Sequence, residues 1–274
     1  MRTFGILGHP VGHSKSPAMQ AAALQAAGID AQYVPFDVRP EDLAQALSGL
    51  RLLPVAGLNV TVPHKEAILP LLDDVSDEAR RIGAVNTIVV RGAHWRGENT
   101  DAPALARILP RVGPIVVLGA GGAARAVLAA IAGRGTCRVV IANRTLARAE
   151  MLARDARGWG LDASAAPLDR PALESALADA LLLVQASSAG MRGGDTGGLD
   201  GIVPIEALPD SAAVVDLVYD PRPTDLCRRA RARGLVAQDG IEMLLEQGAL
   251  SFALWTSIDA PRQAMREAIE RGLR

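Results

Sequence analysis

One stretch, residues 115–133, constrains the fold of this chain more than any other part of its sequence. It reads IVVLGAGGAARAVLAAIAG, in which Ile115–Leu118 predicts a fully buried strand and the alanine-rich end has helical spacing. The intervening Gly-x-Gly-x-x-Ala pattern is typical of a dinucleotide site: Gly119 permits a tight turn, Gly121 admits a pyrophosphate, and Ala124 allows close helix packing. The pyrophosphate would lie at the helix N-terminus, where N–H groups and the macrodipole favour negative charge.

The motif alone is weak evidence, and its position strengthens it: nearly half of the chain precedes it and must do something other than bind the nucleotide. The chain has 274 residues, enough for two domains with sizeable cores, and its 49% hydrophobic content is that of a globular protein. A net charge of −1 argues against nucleic acid or an anionic membrane as a partner.

The cysteines and the N-terminus bear on the compartment. Cys137 and Cys227 are too few for a disulfide framework or a metal cluster, so we expect free thiols in a reducing cytoplasm and no metal. The first residues lack a long apolar region, and no apolar run reaches membrane-spanning length. We therefore expect a soluble, cytoplasmic protein.

The first polar cluster follows a short strand predicted over residues 3–7. Ser16 and Pro17 predict a helix start, with the serine as N-cap and the proline at the first position, and Gly28 ends the helix. Ser14 and Ser16 then lie beside N–H groups at a helix N-terminus, an arrangement that suits a small carboxylate. The alternative is structural: Ser16 only caps the helix, and Ser14 belongs to a turn.

Lys65 follows a strand predicted over residues 56–62 and stands in the first turn of a helix predicted to reach residue 72. A cation is unfavourable at a helix N-terminus, so the lysine is either solvated or kept there for chemistry. The same position favours loss of its proton, which would suit an acid–base role.

A second candidate acid–base group is Asp101. A strand predicted over residues 83–90 is followed by a reversal near Gly92 and then by Asp101, at the start of a helix predicted over 102–109. Aspartate is also a common N-cap, which is the structural alternative. Strands alternate with helices in this half, and its polar residues gather at strand ends, where open α/β sheets bind ligands.

The strand after the glycine turn bears on the choice of nucleotide. It is predicted over residues 137–142 and continues into Asn143, Arg144 and Thr145. A site selective for NAD usually places an acidic residue here, to bind the ribose 2′-hydroxyl. An arginine with an amide and a hydroxyl suits a 2′-phosphate, so the sequence favours NADP. In the alternative, Thr145 caps the next helix and Arg144 is solvated, which is compatible with a cofactor role.

Further motifs occur in one order along nearly the whole chain: HSKSP, NVTVPHK, GAVNT, ENTDA, GAGGAARA, NRT, Asp-x-x-Tyr-x-Pro at 216–221, and GIEMLLEQG. By these motifs the chain resembles the shikimate dehydrogenase family. The resemblance implies two α/β domains: a substrate-binding domain from 1–102 with 240–274, and a Rossmann NADP-binding domain with a parallel sheet over 103–239. It implies an oxidoreductase of chorismate and aromatic amino acid biosynthesis, which reversibly reduces 3-dehydroshikimate to shikimate with NADPH.

The resemblance also implies roles for individual residues. Lys65 would pass a proton to or from the substrate oxygen at the carbon that undergoes hydride transfer, and Asp101 would orient that hydroxyl. The positions that match substrate contacts are Ser14, Ser16, Asn59, Thr61, Asn86, Tyr219 and Gln247. Those that match the cofactor site are Gly119, Gly121, Gly122, Ala123, Asn143, Arg144, Thr145 and Ser187, with Gly240 and Met243 at the nicotinamide end.

Several positions depart from the family's usual pattern. They are Gln20 and Ala21 in place of His-Asn, Ala104 in place of glycine, Gln185 in place of asparagine, and Lys15 between the two serines. The departures suggest a divergent member, or a paralogue that acts on quinate or an aminoshikimate. A catalytically silent regulator that binds NADP or shikimate is disfavoured, because both members of the catalytic pair are present. The sequence does not distinguish a monomer from a homodimer.

Overall fold

The structure is a computed structural model that describes residues 2–135, 137–192, 199 and 201–273. The chain divides into two compact units: Met1–Ala104 with Met243–Arg274 (unit 1), and Leu105–Glu242 (unit 2). Each unit contains a six-stranded sheet with helices, so the α/β class predicted from the sequence is confirmed.

The sheet of unit 1 is mixed. Its strands are β1 (Arg2–Gly8), β2 (Ala31–Asp37), β3 (Val55–Val60), β4 (Asp74–Val75), β5 (Thr87–Arg91) and β6 (His94–Glu98), in the order β2-β1-β3-β5-β6-β4. β1 is parallel to β2 and β3, whereas β5 is antiparallel to both β3 and β6. The ends of β1, β3 and β6 and the start of β5 consequently meet at one edge, which we call the polar edge.

The helices in this part of unit 1 are α1 (Ser16–Ala26), α2 (Leu43–Leu50), α3 (Asp77–Ile82) and α4 (Asp101–Ile108), the last continuing into unit 2. Apolar side chains of the sheet and of α2 form the core, among them Leu7, Leu47, Leu58 and Ile88. β6 is a strand where the sequence predicts only a reversal. Its alternation of exposed His94 with buried Trp95 is the signal that would have found it.

The sheet of unit 2 is parallel throughout. Its strands are β7 (Ile115–Leu118), β8 (Arg138–Asn143), β9 (Asp162–Pro167), β10 (Leu182–Gln185), β11 (Ala213–Asp216) and β12 (Val236–Gln238). The helices are α5 (Gly122–Ala132), α6 (Leu146–Gly158), α7 (Arg170–Leu177) and α8 (Asp225–Ala232). The strand order β12-β11-β10-β7-β8-β9 reverses at β7, which is the Rossmann arrangement and places the glycine turn at the switch point.

The C-terminal helices, α9 (Ile241–Thr256) and α10 (Arg262–Arg271), follow unit 2 in sequence. Within unit 1, Trp255 of α9 donates a hydrogen bond of 2.9 Å to the Ile88 carbonyl, and its ring centroid lies 5.1 Å from that of Phe4. Gln20 Nε2 donates to the Gly248 carbonyl at 2.9 Å, which joins α1 to α9. The C-terminal helix α9 thus packs with the N-terminal residues of the chain in the core of unit 1.

In the parts of the chain that the structure describes, no helix is both long and apolar enough to cross a membrane. The same residues contain no group of three or more His, Cys, Asp or Glu side chains that could hold a metal ion. Cys137 and Cys227 are free thiols, and burial raises the pKa of each.

Candidate active site

An ion pair between Lys65 and Asp101 lies at the polar edge of unit 1. Lys65 Nζ is 2.5 Å from Asp101 Oδ2, and the two side chains are 16% and 3% exposed. The other carboxylate oxygen, Oδ1, accepts a hydrogen bond of 2.7 Å from Asn86 Nδ2. Both oxygens of Asp101 are therefore held by a donor. Because an ammonium group has three N–H donors, Lys65 can bind a substrate oxygen as well.

The cap of α4 is Asn99. Its Oδ1 accepts a hydrogen bond of 3.0 Å from the Ala102 N–H group. Asp101 is instead the first residue of the helix, and its carboxylate is directed at Lys65 and Asn86. The capping role that was the alternative for Asp101 thus belongs to Asn99.

The α-helix predicted from Lys65 to residue 72 is wrong. Residues 65–68 form turns, and Leu69–Leu71 is a short 3₁₀ helix. Pro70 explains the difference, because it has no N–H group to bond the carbonyl four residues earlier and its ring clashes with that carbonyl. Lys65 is therefore not in the first turn of an α-helix, and the dipole of the predicted helix does not act on its charge. Its electrostatic partner in the structure is Asp101.

His64 anchors the turn that carries Lys65, and sequence analysis missed it. Its buried Nε2 donates a hydrogen bond of 2.7 Å to the Val38 carbonyl. Burial lowers the pKa of His64, so the ring stays neutral near neutral pH. A neutral, fixed neighbour holds the backbone of Lys65 without repelling its charge.

Asn86, the residue directly before β5, connects Asp101 to the start of that strand. Its Nδ2 donates to Thr100 Oγ1 at 2.9 Å and to Asp101 Oδ1 at 2.7 Å, and its Oδ1 accepts from the Thr100 N–H group at 2.7 Å. Both amide protons and the oxygen are thus engaged within the protein. The residue was predicted to contact substrate, and in the structure it fixes the direction of the Asp101 carboxylate.

Asn59 is the second buried amide of the polar edge. Its Oδ1 accepts from the Tyr33 hydroxyl at 2.8 Å, and its Nδ2 donates to Ser251 Oγ at 2.9 Å. Ser251 in turn donates to the Gln247 carbonyl at 3.0 Å and lies 2.8 Å from Thr87 Oγ1. Sequence analysis missed Tyr33, Ser251 and Thr87; Thr87 is a member of the GAVNT motif, while no local pattern marks the other two.

Ser14 and Ser16 lie beyond the end of β1. The helix α1 begins at Ser16, with Lys15 in the N-cap position, so the predicted cap by Ser16 is wrong. Ser14 Oγ accepts a hydrogen bond of 3.2 Å from the Ser16 N–H group, because a hydroxyl two residues earlier offers the turn an acceptor. Both serines remain at the N-terminus of α1.

Two further predicted residues belong to unit 1. Thr61 directly follows β3, and its N–H group donates to the Leu7 carbonyl at 2.9 Å, which places it at the polar edge. Gln247 lies on α9, where its Nε2 donates to the Leu244 carbonyl at 2.8 Å.

In unit 2, the glycine turn has the geometry that the sequence predicts. Gly119 has a φ of +108°, and a Cβ there would lie 3.1 Å from Ser187 Cβ. Gly121 is the N-cap of α5, which begins at Gly122, with Ala123 in its first turn. The backbone N–H groups of this turn can receive a pyrophosphate.

The segment after β8 presents its side chains to solvent. Arg144 and Thr145 are exposed, and Thr145 occupies the N-cap position of α6. Asn143 Nδ2 donates to the Thr145 carbonyl at 3.0 Å, which shapes the turn. The side chain of Thr145 makes no capping hydrogen bond to α6, so the predicted capping role of this residue is not borne out.

Gln185 organises the loop beside the glycine turn. Its Oε1 accepts from the N–H and the hydroxyl of Ser187, each at 3.0 Å, and its Nε2 donates to the Ala189 carbonyl at 2.9 Å. The buried glutamine, which is a departure from the family's usual pattern, thus fixes Ser187 and Ala189 in this loop.

Tyr219 and Gly240 lie in the loops that follow β11 and β12. Gly240 N–H donates to the Val218 carbonyl at 3.0 Å, and a Cβ at Gly240 would lie only 2.1 Å from the Leu217 carbonyl oxygen. Glycine is therefore required there for close backbone contact. Met243 is a buried residue in the first turn of α9 and belongs to unit 1.

A parallel Rossmann sheet with its glycine turn at the switch point defines a dinucleotide-binding α/β protein. Family models match the chain over three ranges. They are the shikimate dehydrogenase substrate binding domain over residues 6–88, shikimate/quinate 5-dehydrogenase over 108–191, and the shikimate 5′-dehydrogenase C-terminal domain over 240–270.

Full-length relatives agree. The shikimate dehydrogenase (NADP⁺) of Geobacter metallireducens is 45% identical, over 100% of this chain and 97% of its own. The shikimate 5-dehydrogenase of Thermus thermophilus, solved with NADP(H) and shikimate, is 42% identical with a TM-score of 0.85, over 100% of both chains. Quinate dehydrogenase of Corynebacterium glutamicum, solved with NAD, is 31% identical with a TM-score of 0.85, over 98% of this chain and 99% of its own. The chain belongs to the shikimate dehydrogenase family.

Proposed function

We propose that this chain is an NADP-dependent shikimate dehydrogenase that reversibly reduces 3-dehydroshikimate to shikimate. The observation that carries the proposal is the mostly buried Lys65–Asp101 ion pair at the polar edge of unit 1, with Nζ and Oδ2 2.5 Å apart. The relative at 45% identity is a shikimate dehydrogenase that uses NADP⁺, which supports both the substrate and the cofactor.

Lys65 is the proton donor in the direction of reduction. Its ammonium group gives a proton to the ketone oxygen as hydride arrives at the carbon, and the neutral amine takes that proton back during oxidation. Its positive charge also stabilises the negative charge that develops on the oxygen. Asp101 directs the ammonium group, and Asn86 fixes the carboxylate of Asp101 through the 2.7 Å hydrogen bond.

We assign the substrate carboxylate to Ser14 and Ser16, because the N-terminus of α1 favours an anion and both residues offer hydroxyl donors. The remaining substrate contacts are proposed from the family resemblance: Asn59, Thr61, Asn86, Tyr219 and Gln247. Since Asn59 and Asn86 are already hydrogen-bonded within unit 1, we assign them chiefly to orienting the groups beside the substrate.

The residues of unit 2 fit NADP. The backbone N–H groups of Gly121 and Gly122, at the N-terminus of α5, suit the pyrophosphate, and Gly119 allows the loop at Ser187 to pack closely against the turn. Exposed Arg144, with Asn143 and Thr145, suits a 2′-phosphate, because a guanidinium group binds phosphate through paired N–H donors. When bound, NADPH supplies the hydride. We propose that unit 2 binds this cofactor and that unit 1 binds the substrate.

A cytoplasmic location is part of the proposal. It is supported by the two free thiols, which suit a reducing compartment. Shikimate produced there would enter the biosynthesis of chorismate and the aromatic amino acids.

The test is a matrix of kcat/KM values for shikimate and quinate, each with NADP⁺ and NAD⁺. We expect shikimate with NADP⁺ to exceed every other combination by about tenfold or more, a difference of about 1.4 kcal/mol in transition-state binding. The likeness to a quinate dehydrogenase solved with NAD supports the alternative. A preference for quinate would establish that alternative, and retained NADP⁺ binding without turnover would indicate a regulator.

A further inference from the structure

A buried carboxylate outside the proposed chemistry, Asp216, stands at the end of β11. Its Oδ1 accepts a hydrogen bond of 3.0 Å from the Val218 N–H group. The Thr224 hydroxyl also bonds to this carboxylate, while Thr224 Oγ1 accepts from the Cys227 N–H group at 3.2 Å. A hydroxyl has a single proton, so Thr224 gives that proton to Asp216 while its oxygen receives the Cys227 N–H. Asp216 therefore ties the strand end to the start of α8.

The loop after β12 is joined to the same segment. Gly240 N–H donates to the Val218 carbonyl at 3.0 Å, next to the Asp216–Val218 hydrogen bond. Arg222 Nε donates to Asp239 Oδ2 at 2.7 Å, which adds a second connection. Residues 216–224 and 238–241 are thus joined by the Gly240–Val218 hydrogen bond and the Arg222–Asp239 ion pair, and Asp216 holds Val218 within the first segment.

Both loops carry residues of the proposed site, Tyr219 in the first and Gly240 in the second. We propose that Asp216 is a positioning residue, whose ionised carboxylate holds residues 216–224, and with them Tyr219, against the backbone at Gly240. This inference rests on the proposed function for the role of Tyr219, but the hydrogen bonds themselves do not depend on it.

The surroundings of Asp216 make its charge sensitive to pH. Burial raises the pKa of Asp216 to about 6; the Thr224 and Val218 hydrogen bonds oppose this rise, and the charge of Asp239 adds to it. Asp239 is paired with Arg222, and Cys227 on α8 faces both carboxylates with Arg231 nearby. Asp216 therefore takes up a proton as the pH falls through about 6, and its hold on the loop weakens.

The experiment compares the wild-type protein with Asp216→Asn and with a matched control, Asp210→Asn. Asp210 lies in the same unit but is 95% exposed. At neutral pH, we expect faster hydrogen–deuterium exchange in residues 217–224 and 239–241 of Asp216→Asn. Its KM for shikimate should rise about tenfold, with a smaller change in kcat, the scale of one lost hydrogen bond to a charged group. The control should match the wild type.

A pH profile separates positioning from a general loss of structure. In the direction of reduction, where Lys65 acts as an ammonium group and adds no acid limb of its own, the wild-type kcat/KM for 3-dehydroshikimate should fall on the acid side with an apparent pKa near that of Asp216, about 6. Asp216→Asn should lack this acid limb. Thr224→Val removes the hydroxyl that stabilises the carboxylate, so the limb should move to higher pH. Thr224→Ser should restore it, and this pair carries the test if Asp216→Asn does not fold.

Two results would overturn the proposal: wild-type exchange together with wild-type KM in Asp216→Asn, or an acid limb that neither Asp216→Asn nor Thr224→Val changes. Hydrogen–deuterium exchange is measured without turnover, so a failure of the proposed function can be distinguished from a failure of the positioning role. A wild-type protein that is inactive on shikimate, with loops that still loosen in Asp216→Asn, would contradict the activity and support the positioning role.

Discussion

The polar groups proposed for proton transfer in unit 1 and those proposed for the 2′-phosphate in unit 2 are held in opposite ways. In unit 1, Lys65, Asp101 and Asn86 are connected by short hydrogen bonds in a largely buried network. In unit 2, Arg144 and Thr145 stand exposed at the end of β8. Proton transfer requires donors and acceptors with fixed directions before the substrate binds, whereas a phosphate can be met by an exposed guanidinium group. The contrast predicts that changes in this network of unit 1 lower kcat and that changes in the exposed residues after β8 raise the KM for NADP⁺.

The largest effect should come from Asp101→Asn. The amide would direct an N–H group at the Lys65 ammonium, so the lysine loses its orientation. We expect kcat for shikimate oxidation to fall by about 10²–10⁴-fold, the range of a positioned acid–base group, with little change in the KM for NADP⁺. Steady-state kinetics measure both, with Asp210→Asn as the exposed control. A kcat close to that of the control would contradict a role for Asp101.

Asn86→Ala should have the next largest effect. It removes the donor to Asp101 Oδ1 and leaves the Thr100 N–H group without its acceptor. A buried polar group left unsatisfied costs about 1–3 kcal/mol, so both kcat and the melting temperature should decrease. Asn143→Ala is the counterpart in unit 2 and should change the KM for NADP⁺ instead. If both variants altered the same kinetic constant, the comparison between the units would fail.

Arg144→Gln tests the exposed side of the comparison. Loss of a charge-assisted hydrogen bond to phosphate should raise the KM for NADP⁺ by about 10- to 100-fold while kcat and the KM for NAD⁺ change little. Arg154→Gln, at an exposed position further along α6, is the control. An equal effect of Arg144→Gln on both nucleotides would show that Arg144 does not bind the 2′-phosphate.

The smallest effect concerns stability rather than catalysis. The pKa of Asp216 is about 6 in the folded protein, above its value in an unfolded chain of about 3.9, so the folded state binds this proton more tightly. Binding of this proton by Asp216 contributes fully to the free energy of unfolding below about pH 4, and this contribution is lost as the pH rises through about 6. The melting temperature of the wild type minus that of Asp216→Asn should therefore decrease as the pH rises over this range. A constant difference would contradict the assignment.

The Rossmann unit could be predicted closely because its signals are local. The strand Ile115–Leu118, the glycine turn and the start of α5 are contiguous, and each depends on backbone conformation or burial that single residues determine. The α/β class followed from the same alternation of strands and helices along the rest of the chain.

The polar edge could be predicted only in part, because its members are far apart in sequence. Asn59 and Ser251 are separated by 192 positions and yet share a hydrogen bond. The residue types at Lys65 and Asp101 indicated chemistry, but the predicted reason for Lys65 was a helix that Pro70 prevents. The physical reason, an ion pair across strand ends, depends on an antiparallel β5 and β6 that the local pattern did not specify.

The proton-transfer role of Lys65 is tested by the kcat of Lys65→Met for shikimate oxidation with NADP⁺, measured together with the Kd of NADP⁺ from fluorescence titration. Methionine keeps an unbranched side chain but removes the proton donor. We expect a kcat lower by about 10²–10⁴-fold with an unchanged Kd for NADP⁺. A kcat within a few-fold of the wild type would contradict the central claim that Lys65 transfers the proton.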